Sequence, residues 1–494
     1  MTTPLRGVPG PIAVDRRLSK PLHQQIYEAF RARIIRGELR AGQLAPSTRE
    51  LARELRVSRR PVLDAYVLLL AEGYFESRVG AGTFIAASLP GRTESRVVRP
   101  AGERRVSALA AALPRYERAP AALGPFQVGQ PDLHSFPMDV WSKLMARHAR
   151  RVRVQGLQYG DAMGLPELRE AVAHYLRTSR AVRCEASQIM IVSGSQQGLD
   201  LATRVLLDAG AFAWVEEPGY WLVHQVLTAS GCRAVPVPVD AEGLDVAEGI
   251  RRKRKVGAAF VAPSHQYPLG VTMSATRRLQ LLEWAQREGA WIVEDDYDSE
   301  YRYESMPVAS LQGLDTNARV VYIGTFSKVM FPSLRLGYVV VPPDLVGCFA
   351  AMRRAMDLGP AHASQSVMAE FIREGHFARH IRRMRPIYAA RRRALAAAVE
   401  RELGNRVTIV GDAAGMHLTV LLRDPCDDRA VAAEAARRSL YVSALSDSYA
   451  GDAPRPGFVL GFGNTRESQI AGGVRQLASL LKHKSAAGEP SRRL

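Results

Sequence analysis

Residues 319–337 read RVVYIGTFSKVMFPSLRLG and combine a strand-like apolar run with a lysine and an arginine. The apolar, β-rich run at 320–323 predicts a buried strand, and a small polar turn follows it. The turn ends at Lys328, and Arg335 follows seven residues later. A lysine amine held just past a buried strand can form an imine with an aldehyde cofactor. Taken alone, the same residues also fit an ordinary solvated loop.

Short apolar runs alternate with amphipathic helices between residues 123 and 482. This alternation predicts an α/β domain with a mostly parallel sheet covered on both faces. In such sheets the ligand lies beyond the carboxyl ends of the strands, so the residues just after each run are the candidates for a site. The runs are 189–192, 212–215, 258–261, 291–293, 320–323 and 338–341.

The residues after the first run suit a phosphate. Residues 193–197 read SGSQQ and begin a helix, so several backbone N–H groups and a helix N-terminus point at one place. Arg335 and Ser327 add a guanidinium and a hydroxyl for the same anion. We therefore expect a phosphate group to bind here.

Three residues after other runs suit an aromatic ring that carries a nitrogen. Asp295 stands 33 residues before Lys328, and its carboxylate is suited to keep a pyridine nitrogen protonated. Tyr297 is placed to reach a phenolic oxygen of the ring, and Tyr220 is placed to stack on its face. Each residue type is ordinary in a buried position, but together they indicate one ligand.

Length and composition limit the function classes. A chain of 494 residues is too long for one ordinary core, so we expect two or more domains. The formal net charge of +18 favours a polyanionic partner. The four cysteines are far apart, which argues against a disulfide framework or a zinc site and fits a reducing cytoplasm. No export signal or membrane-spanning run is apparent, so we expect a cytoplasmic protein.

Residues 1–86 predict a winged helix-turn-helix. Leu22, Ile26, Phe30 and Ile34 form a one-faced stripe of helical period. Two further helices follow, at 48–55 and after residue 58, with Ser47 and Ser58 as their caps. The inward residues of the third helix are Val62, Tyr66, Leu69 and Leu70. Two short strands around a Gly-rich turn at 80–82 complete the wing.

The start of the third helix suits DNA. Ser58, Arg59 and Arg60 lie where a recognition helix reads base edges, and Arg49 and Arg78 flank them as phosphate contacts. A merely solvated basic face is the alternative. Residues 44–85 resemble the core of the DNA-binding domain of GntR-type bacterial regulators, which implies binding to double-stranded DNA. Two positions depart from the usual pattern, because Ala45 replaces a common leucine and Pro61 replaces a threonine that often touches DNA.

The chain thus divides into four predicted segments. A DNA-binding domain at 1–86 is followed by a linker at 87–122, which is rich in Pro, Arg and Ala and is expected to be semi-extended and mobile. A large cofactor-binding domain occupies 123–482. A disordered tail is expected at 483–494.

The order of phosphate turn, aromatic residue, acid, lysine and arginine resembles the fold-type I family of pyridoxal-phosphate enzymes, above all the aminotransferases. The motifs QPD at 130–132 and YGD at 159–161 extend the resemblance. It implies that Lys328 forms the Schiff base with pyridoxal phosphate and that Asp295 is the pyridine partner. It also implies that the phosphate ligands are Ser195, Gln196, Arg335 and, from the partner subunit, Tyr159.

A GntR-type reader joined to an aminotransferase-like domain is similar to the MocR regulators. EDDYDSEYRY at 294–303, SHQYPLG at 264–270 and YIGTFSK at 322–328 resemble signatures of that family. Its members bind pyridoxal phosphate and sense it, or an amino compound that reacts with it. The resemblance implies a homodimer whose large domain is an effector pocket.

Two departures from the aminotransferase pattern bear on the effector. Tyr267 replaces the asparagine that usually contacts the phenolic oxygen of the cofactor. The arginine that usually holds a substrate carboxylate is missing, because Val459 takes its place if Phe462 is the landmark, and residues 221–224 contain no arginine. We therefore expect the effector to be pyridoxal phosphate itself or an amine without an α-carboxylate.

Three functions remain open from the sequence. The favoured one is a transcriptional regulator that senses pyridoxal phosphate, with vitamin B6 metabolism as the natural target. A working aminotransferase with an accessory DNA-binding domain is the second. A domain that has lost the cofactor and serves only for dimerisation is the third, and an intact Lys328, Asp295 and Arg335 argue against it.

Overall fold

The computed structural model describes residues 12–87, 102, 105–114, 123–152, 157–303, 309–411, 414–451 and 454–487. The chain forms two compact units, Met1–Arg105 and Val106–Leu494. Among the described residues, no helix combines the length and the apolar character that a membrane crossing requires.

The first unit is a three-helix domain with a two-stranded wing. Helix α2 begins with a capping box, in which the Ser47 hydroxyl accepts from the Glu50 amide and the Glu50 carboxylate accepts from the Ser47 amide. The strands of the wing pair antiparallel, with Phe75 opposite Ile85. The elements are α1 Leu22–Ile35, α2 Thr48–Glu54, α3 Arg59–Ala71, β1 Phe75–Arg78 and β2 Gly82–Ile85.

An aromatic cluster forms the centre of this domain. Phe30, Tyr66 and Phe75 make edge-to-face contacts with centroid distances of 5.0–5.8 Å, and the Tyr66 hydroxyl donates to the Pro46 carbonyl at 2.7 Å. The expectation that Leu70 faces inward is wrong, since 37% of its surface is exposed. Its neighbour Leu69 takes the inward position, and a helix turns successive residues by about 100°.

Most of the predicted linker lies outside the described residues. One short helix, α4 Ala108–Ala112, is described within it, and the Ser107 hydroxyl caps this helix by accepting from the Ala110 amide at 3.2 Å. The helix belongs to the second unit, where it packs beside helix α8, Trp221–Ala229.

The second unit is built on a mixed, mostly parallel sheet of eight strands, which confirms the predicted α/β class. The strand order is β3-β10-β9-β8-β7-β4-β5-β6; β10 runs antiparallel to both of its neighbours, and the edge strand β6 runs antiparallel to β5. The strands are β3 Ile189–Val192, β4 Phe212–Glu217, β5 Arg233–Asp240, β6 Gly243–Leu244, β7 Ala258–Val261, β8 Trp291–Asp296, β9 Val320–Thr325 and β10 Gly337–Val340.

Both faces of the sheet are buried, because alternate residues of one strand enter different cores. Ile189 and Ile191 of β3 belong to one apolar cluster, whereas Met190 and Val192 belong to another. All six predicted runs are strands. Sequence reasoning missed β5, whose Pro236 and Pro238 argue against a strand. The strand tolerates them because β6 pairs with only its last two residues.

A second, antiparallel sheet of four strands lies in the carboxyl-terminal part, in the order β11-β12-β14-β13. Its strands are β11 Val407–Val410, β12 His417–Leu422, β13 Ser443–Ala444 and β14 Gly457–Gly461. The helices of this unit besides α4 and α8 are α5 Met138–Arg151, α6 Pro166–Arg180, α7 Ser195–Leu206, α9 Val246–Arg252, α10 Ala275–Glu288, α11 Leu311–Leu314, α12 Val346–Asp357, α13 Ala363–Arg373, α14 His376–Leu403, α15 Asp428–Arg437 and α16 Glu467–Ala487.

Helix α16 continues to Ala487, past the predicted start of a disordered tail at residue 483. The remainder of that predicted tail, 488–494, lies outside the described residues.

A candidate cofactor site at the carboxyl end of the large sheet

A cavity of about 560 Å³ opens where several strands of the large sheet end. Strands β3, β4, β8 and β9 each deliver polar residues to it, as expected for a parallel sheet. The cavity brings together every site residue that sequence reasoning assigned to the chain's own large domain. These residues are Ser195, Gln196, Tyr220, Asp295, Tyr297, Ser327, Lys328 and Arg335.

Lys328 lies on the turn that leaves β9, with its amine inside the cavity. Its Nζ donates a hydrogen bond to the Gly129 carbonyl at 3.1 Å. Burial lowers the pKa of the Lys328 amine, against the opposing effect of Asp298 and Asp295. A lowered pKa increases the fraction of uncharged amine, which is the form that attacks an aldehyde.

Gly129 is a site residue that sequence reasoning missed. Its φ of +74° is in the left-handed region, and a Cβ there would stand 2.6 Å from the Lys328 Nζ. Only glycine fits this position without displacing the lysine. The signal was available, because Gly129 directly precedes the motif at 130–132.

Asp295 is the last but one residue of β8 and faces the cavity floor. Burial, together with the nearby Asp296, raises the pKa of its carboxyl to about 7, against the opposing effect of Lys328. The Oδ1 atom of Asp295 is buried and has no hydrogen-bond partner among the described residues. A buried acceptor without a donor fits a ring N–H that the cofactor would supply.

The N-terminus of α7 and the Arg335 side chain form an anion cradle. Gly194, with φ of +108°, precedes α7, and a Cβ there would lie 3.3 Å from the Arg335 Nη1. The amide of Ser193 is anchored by the Gln197 Oε1 at 2.7 Å. In the described part of the chain, the Arg335 guanidinium has no hydrogen bond or ion pair, and the buried Oε1 of Gln196 has no partner. The free cation and the helix N-terminus fit a phosphate.

The other two predicted phosphate ligands, Ser327 and Tyr159, differ in their positions. Ser327 lines the cavity, and its hydroxyl accepts from the Thr325 Oγ1 at 3.1 Å. Tyr159 is 88% exposed and does not line the cavity of its own chain. Its assignment to a phosphate in a partner subunit stays a prediction, because it requires a second chain.

A buried network holds Tyr297, and sequence reasoning found only part of it. The His265 Nδ1 lies 2.9 Å from the Asp298 Oδ1 and 3.1 Å from the Tyr297 hydroxyl. Asp298 lies within the run 294–303, but its partner is 33 residues away, so the sequence alone did not indicate the contact.

The wall of the cavity that contains Tyr267 and His417 is largely uncharged. His417 begins β12, and burial lowers the pKa of its imidazole to about 3, with His265 acting in the same direction. Tyr267 stands between Tyr220 and His417, with centroid distances of 5.9 and 5.4 Å. Sequence reasoning missed His417, which no motif distinguishes from a core histidine.

The described residues that line the cavity include no arginine that is available to bind a substrate carboxylate. Arg335 is the only arginine among them. Val459 is fully buried within β14, and Arg455 is exposed and does not line the cavity. A second guanidinium for a carboxylate is therefore missing from this part of the wall.

The predicted DNA-contacting residues lie in the first unit, and all are exposed. The recognition helix α3 begins with Ser58 at its N-cap position, although the Ser58 hydroxyl makes no capping hydrogen bond. The Arg59 Nε donates to the Thr48 Oγ1 at 3.1 Å, and Arg60 pairs with Asp64 at 3.0 Å. The full predicted set is Arg49, Ser58, Arg59, Arg60 and Arg78.

Two family models match the chain. The model of aminotransferases of class I and II matches residues 125–455, and that of the bacterial regulatory proteins of the gntR family matches residues 22–85. Each match falls within one of the two units that the structure separates.

Relatives and solved structures agree with both matches. The chain is 39% identical to the probable rhizopine catabolism regulatory protein MocR of Rhizobium meliloti, over 97% of either chain. It is 31% identical to the pyridoxine biosynthesis transcriptional regulator PdxR of Corynebacterium glutamicum, over 93% of this chain and 96% of that one. Kynurenine aminotransferase of Pyrococcus horikoshii, solved in complex with PMP, matches with a TM-score of 0.70 at 28% identity, over 77% of this chain and 97% of that one.

The large domain therefore has the aminotransferase fold and binds pyridoxal phosphate, and the small domain is a DNA-binding helix-turn-helix. The cavity fits that cofactor, since it holds a lysine, an unpartnered carboxylate oxygen and a free guanidinium beside a helix N-terminus. The chain belongs to the MocR-type transcriptional regulators, in which a GntR-type DNA-binding domain precedes an aminotransferase-like domain.

Proposed function

We propose that this regulator senses pyridoxal phosphate, or an amine that reacts with it and carries no α-carboxylate. The state of the cavity around Lys328 then sets the affinity of the DNA-binding domain for its operator. The control of vitamin B6 metabolism is the target that we favour, because the similar PdxR is named as a regulator of pyridoxine biosynthesis.

We assign each of these cavity residues to one part of the cofactor. We assign Lys328 to the covalent link and Asp295 to the ring nitrogen. Tyr297 donates to the phenolic oxygen, and Tyr220 stacks on the ring. The phosphate is assigned to Ser195, Gln196, Ser327, Arg335 and, from the partner subunit, Tyr159.

The local chemistry supports a covalent sensing point at Lys328. When bound, the cofactor supplies an aldehyde carbon that amines attack reversibly. Lys328 has a pKa lowered by burial, and the Gly129 carbonyl, 3.1 Å away, orients its amine. Lys328 would hold this aldehyde in the absence of a free amine, and a free amine that reacts with the aldehyde would release the Lys328 side chain, so the state of Lys328 would depend on the concentration of that amine.

One observation carries the choice of effector. Among the described residues that line the cavity, the only cations are Lys328 and Arg335, and both are assigned to the cofactor. The wall beyond them contains Tyr267, His417, Met416 and Ser443. An α-carboxylate would enter this region without a guanidinium to bind it, at a cost in desolvation that a bidentate arginine normally offsets.

Signal transfer requires two states that bind the operator differently. We propose that the large domains form a homodimer, which brings two DNA-binding domains to one operator with repeated half-sites. The cofactor or amine shifts this dimer toward one arrangement by binding it more tightly. The exposed Tyr159 is consistent with a dimer in which it completes the phosphate site of the partner.

The test is a titration of the cofactor-loaded protein with matched pairs of ligands. Each pair consists of an amine and the α-amino acid that differs from it only by the carboxylate, such as phenethylamine and phenylalanine. We expect saturable changes in the visible spectrum with the amines at lower concentration than with the amino acids. A saturable response to α-amino acids at micromolar concentration would contradict the proposal. The Lys328→Ala variant is the control for the covalent link.

A second candidate is a working aminotransferase with an accessory DNA-binding domain. The eight predicted cofactor residues that line one cavity and the similarity to the Pyrococcus horikoshii kynurenine aminotransferase favour it. Multiple-turnover transfer of an amino group to a keto acid, lost in Lys328→Ala, would support this candidate. Single-turnover chemistry without release would support the sensor.

A further inference from the structure

Helix α3 exposes apolar side chains on its outward face. Leu63 and Val67 are one turn apart, and 37% and 61% of their surfaces are exposed. The inward face of the same helix is already buried, with Val62 and Leu69 fully buried and Tyr66 nearly so. The core of the domain therefore does not need Leu63 and Val67, which raises the question of what covers them.

Arginine side chains lie around the apolar residues of the outward face. Arg60 lies one turn before Asp64 on this face and pairs with it at 3.0 Å, and Arg59 begins the helix. Arg49 and Arg78 are exposed on neighbouring elements. Apolar groups framed by guanidinium groups fit the major groove of duplex DNA, where phosphates flank the base edges. The thymine C5-methyl is the apolar group that base edges present in that groove.

We infer that Leu63 and Val67 are specificity-determining residues that contact thymine methyl groups in the operator. The inference rests on the DNA-binding role of this domain. The two residues are about 6 Å apart along the helix axis, from a rise of about 1.5 Å per residue. With about 3.4 Å per base pair, the contacted thymines stand about two base pairs apart in each half-site.

The test uses full-length protein and an operator selected from a pool of random duplexes. Each thymine of the selected half-site is replaced singly by deoxyuridine, which removes the methyl group and keeps the hydrogen-bonding edge. We expect about fourfold weaker binding at each contacted position, because one buried methyl contributes about 0.8 kcal/mol.

The matched variants are Leu63→Ala and Leu68→Ala. Leu68 is exposed to the same 37%, but it lies about 140° around the helix from Leu63. Leu63→Ala should weaken binding to the thymine operator and should abolish the effect of one deoxyuridine substitution. Leu68→Ala should leave that effect intact. The same logic applies to Val67→Ala at the second position.

Three results would overturn the inference. The first is equal affinity for all deoxyuridine-substituted operators, which would indicate that the face contacts protein or DNA backbone instead. The second is an unchanged deoxyuridine effect in both Leu63→Ala and Val67→Ala. The third is failure to select any DNA, which would also contradict the DNA-binding role itself.

Discussion

Replacing Asp295 by asparagine is expected to stabilise the cofactor-free protein while it weakens cofactor binding. In the absence of cofactor, the Asp295 carboxyl is buried beside Asp296, and its Oδ1 has no partner. Its pKa is raised from 3.8 to about 7. The folded state therefore holds the proton more tightly than the unfolded state, and stability is lost as the pH rises from about 4 to about 7.

The size of the effect follows from this difference in pKa. Each pKa unit corresponds to about 1.36 kcal/mol, so the ionised carboxylate destabilises the cofactor-free fold by at most about 4 kcal/mol at pH 8. At pH 4 the penalty falls below about 1 kcal/mol. The figure is an upper bound, because Asp295 lines a cavity that solvent enters. For the loaded protein we propose that the same carboxylate pairs with the protonated ring nitrogen, and loss of a buried charge partner costs about 2–5 kcal/mol, or about 30- to 5,000-fold in affinity.

Tryptophan fluorescence is the suitable assay for stability. All five tryptophans lie between residues 141 and 291, so their fluorescence reports on the large domain alone. Urea unfolding of cofactor-free protein at pH 4 and pH 8 should show a gain for Asp295→Asn that grows with pH. Asp344→Asn, which removes an exposed carboxylate, is the control and should show no such growth. Cofactor affinity is measured by the visible absorption of the same samples.

Two outcomes would refute this reasoning about Asp295. If Asp295→Asn destabilises the cofactor-free protein at pH 8, the carboxylate has partners that offset its burial. If the variant binds pyridoxal phosphate as tightly as the wild type, Asp295 does not face the ring nitrogen.

Three further predictions concern other parts of the molecule. Arg335→Gln should weaken binding of pyridoxal phosphate about 10- to 150-fold, from about 1.5–3 kcal/mol for a charged hydrogen bond, and should leave binding of pyridoxal unchanged; equal losses for both ligands would contradict the phosphate role. His265→Asn should move the pH midpoint of the visible absorption upward, because Tyr297 loses its contact with His265 and the hydrogen bond that we propose from Tyr297 to the phenolic oxygen is weakened; an unmoved midpoint in spectrophotometric titration would disprove this. Ser47→Ala should cost about 1 kcal/mol and speed amide hydrogen exchange in α2 about fivefold, whereas equal exchange rates would show that the cap contributes nothing.

The gathering of the candidate site residues in one cavity was predictable because most of them follow strands that are local in sequence. Lys328, Asp295 and Tyr220 each follow an apolar run that forms a strand, and parallel strands bring their carboxyl ends to one edge. The spacing of residues along one strand and its turn is enough to place such side chains. The same reasoning gave the wing and the three helices of the small domain, since their caps and breaks are also local.

The other features of the fold and of the site could not be predicted, because they depend on contacts between residues that are far apart in the sequence. His265 meets Asp298 across 33 residues, and Lys328 meets the Gly129 carbonyl across 199 residues. Strand β5 forms despite Pro236 and Pro238, because its position next to the sheet edge removes most of the demand on its amides. The prediction of inward and outward positions also fails at single residues such as Leu70, because successive helical residues are about 100° apart and Leu69 already takes the buried position.

Operator affinity with and without cofactor is the decisive measurement for the sensing role of Lys328. The affinity of the full-length protein for its selected operator is measured at fixed salt with no ligand, with pyridoxal phosphate, and with pyridoxine 5′-phosphate, which lacks the aldehyde. We predict that pyridoxal phosphate changes the affinity of the wild type by about 5- to 150-fold, from a coupling of about 1–3 kcal/mol. Pyridoxine 5′-phosphate, and pyridoxal phosphate with Lys328→Ala, should produce much smaller changes. Identical operator affinity of the wild type in all three conditions would contradict the claim that Lys328 is a sensing point.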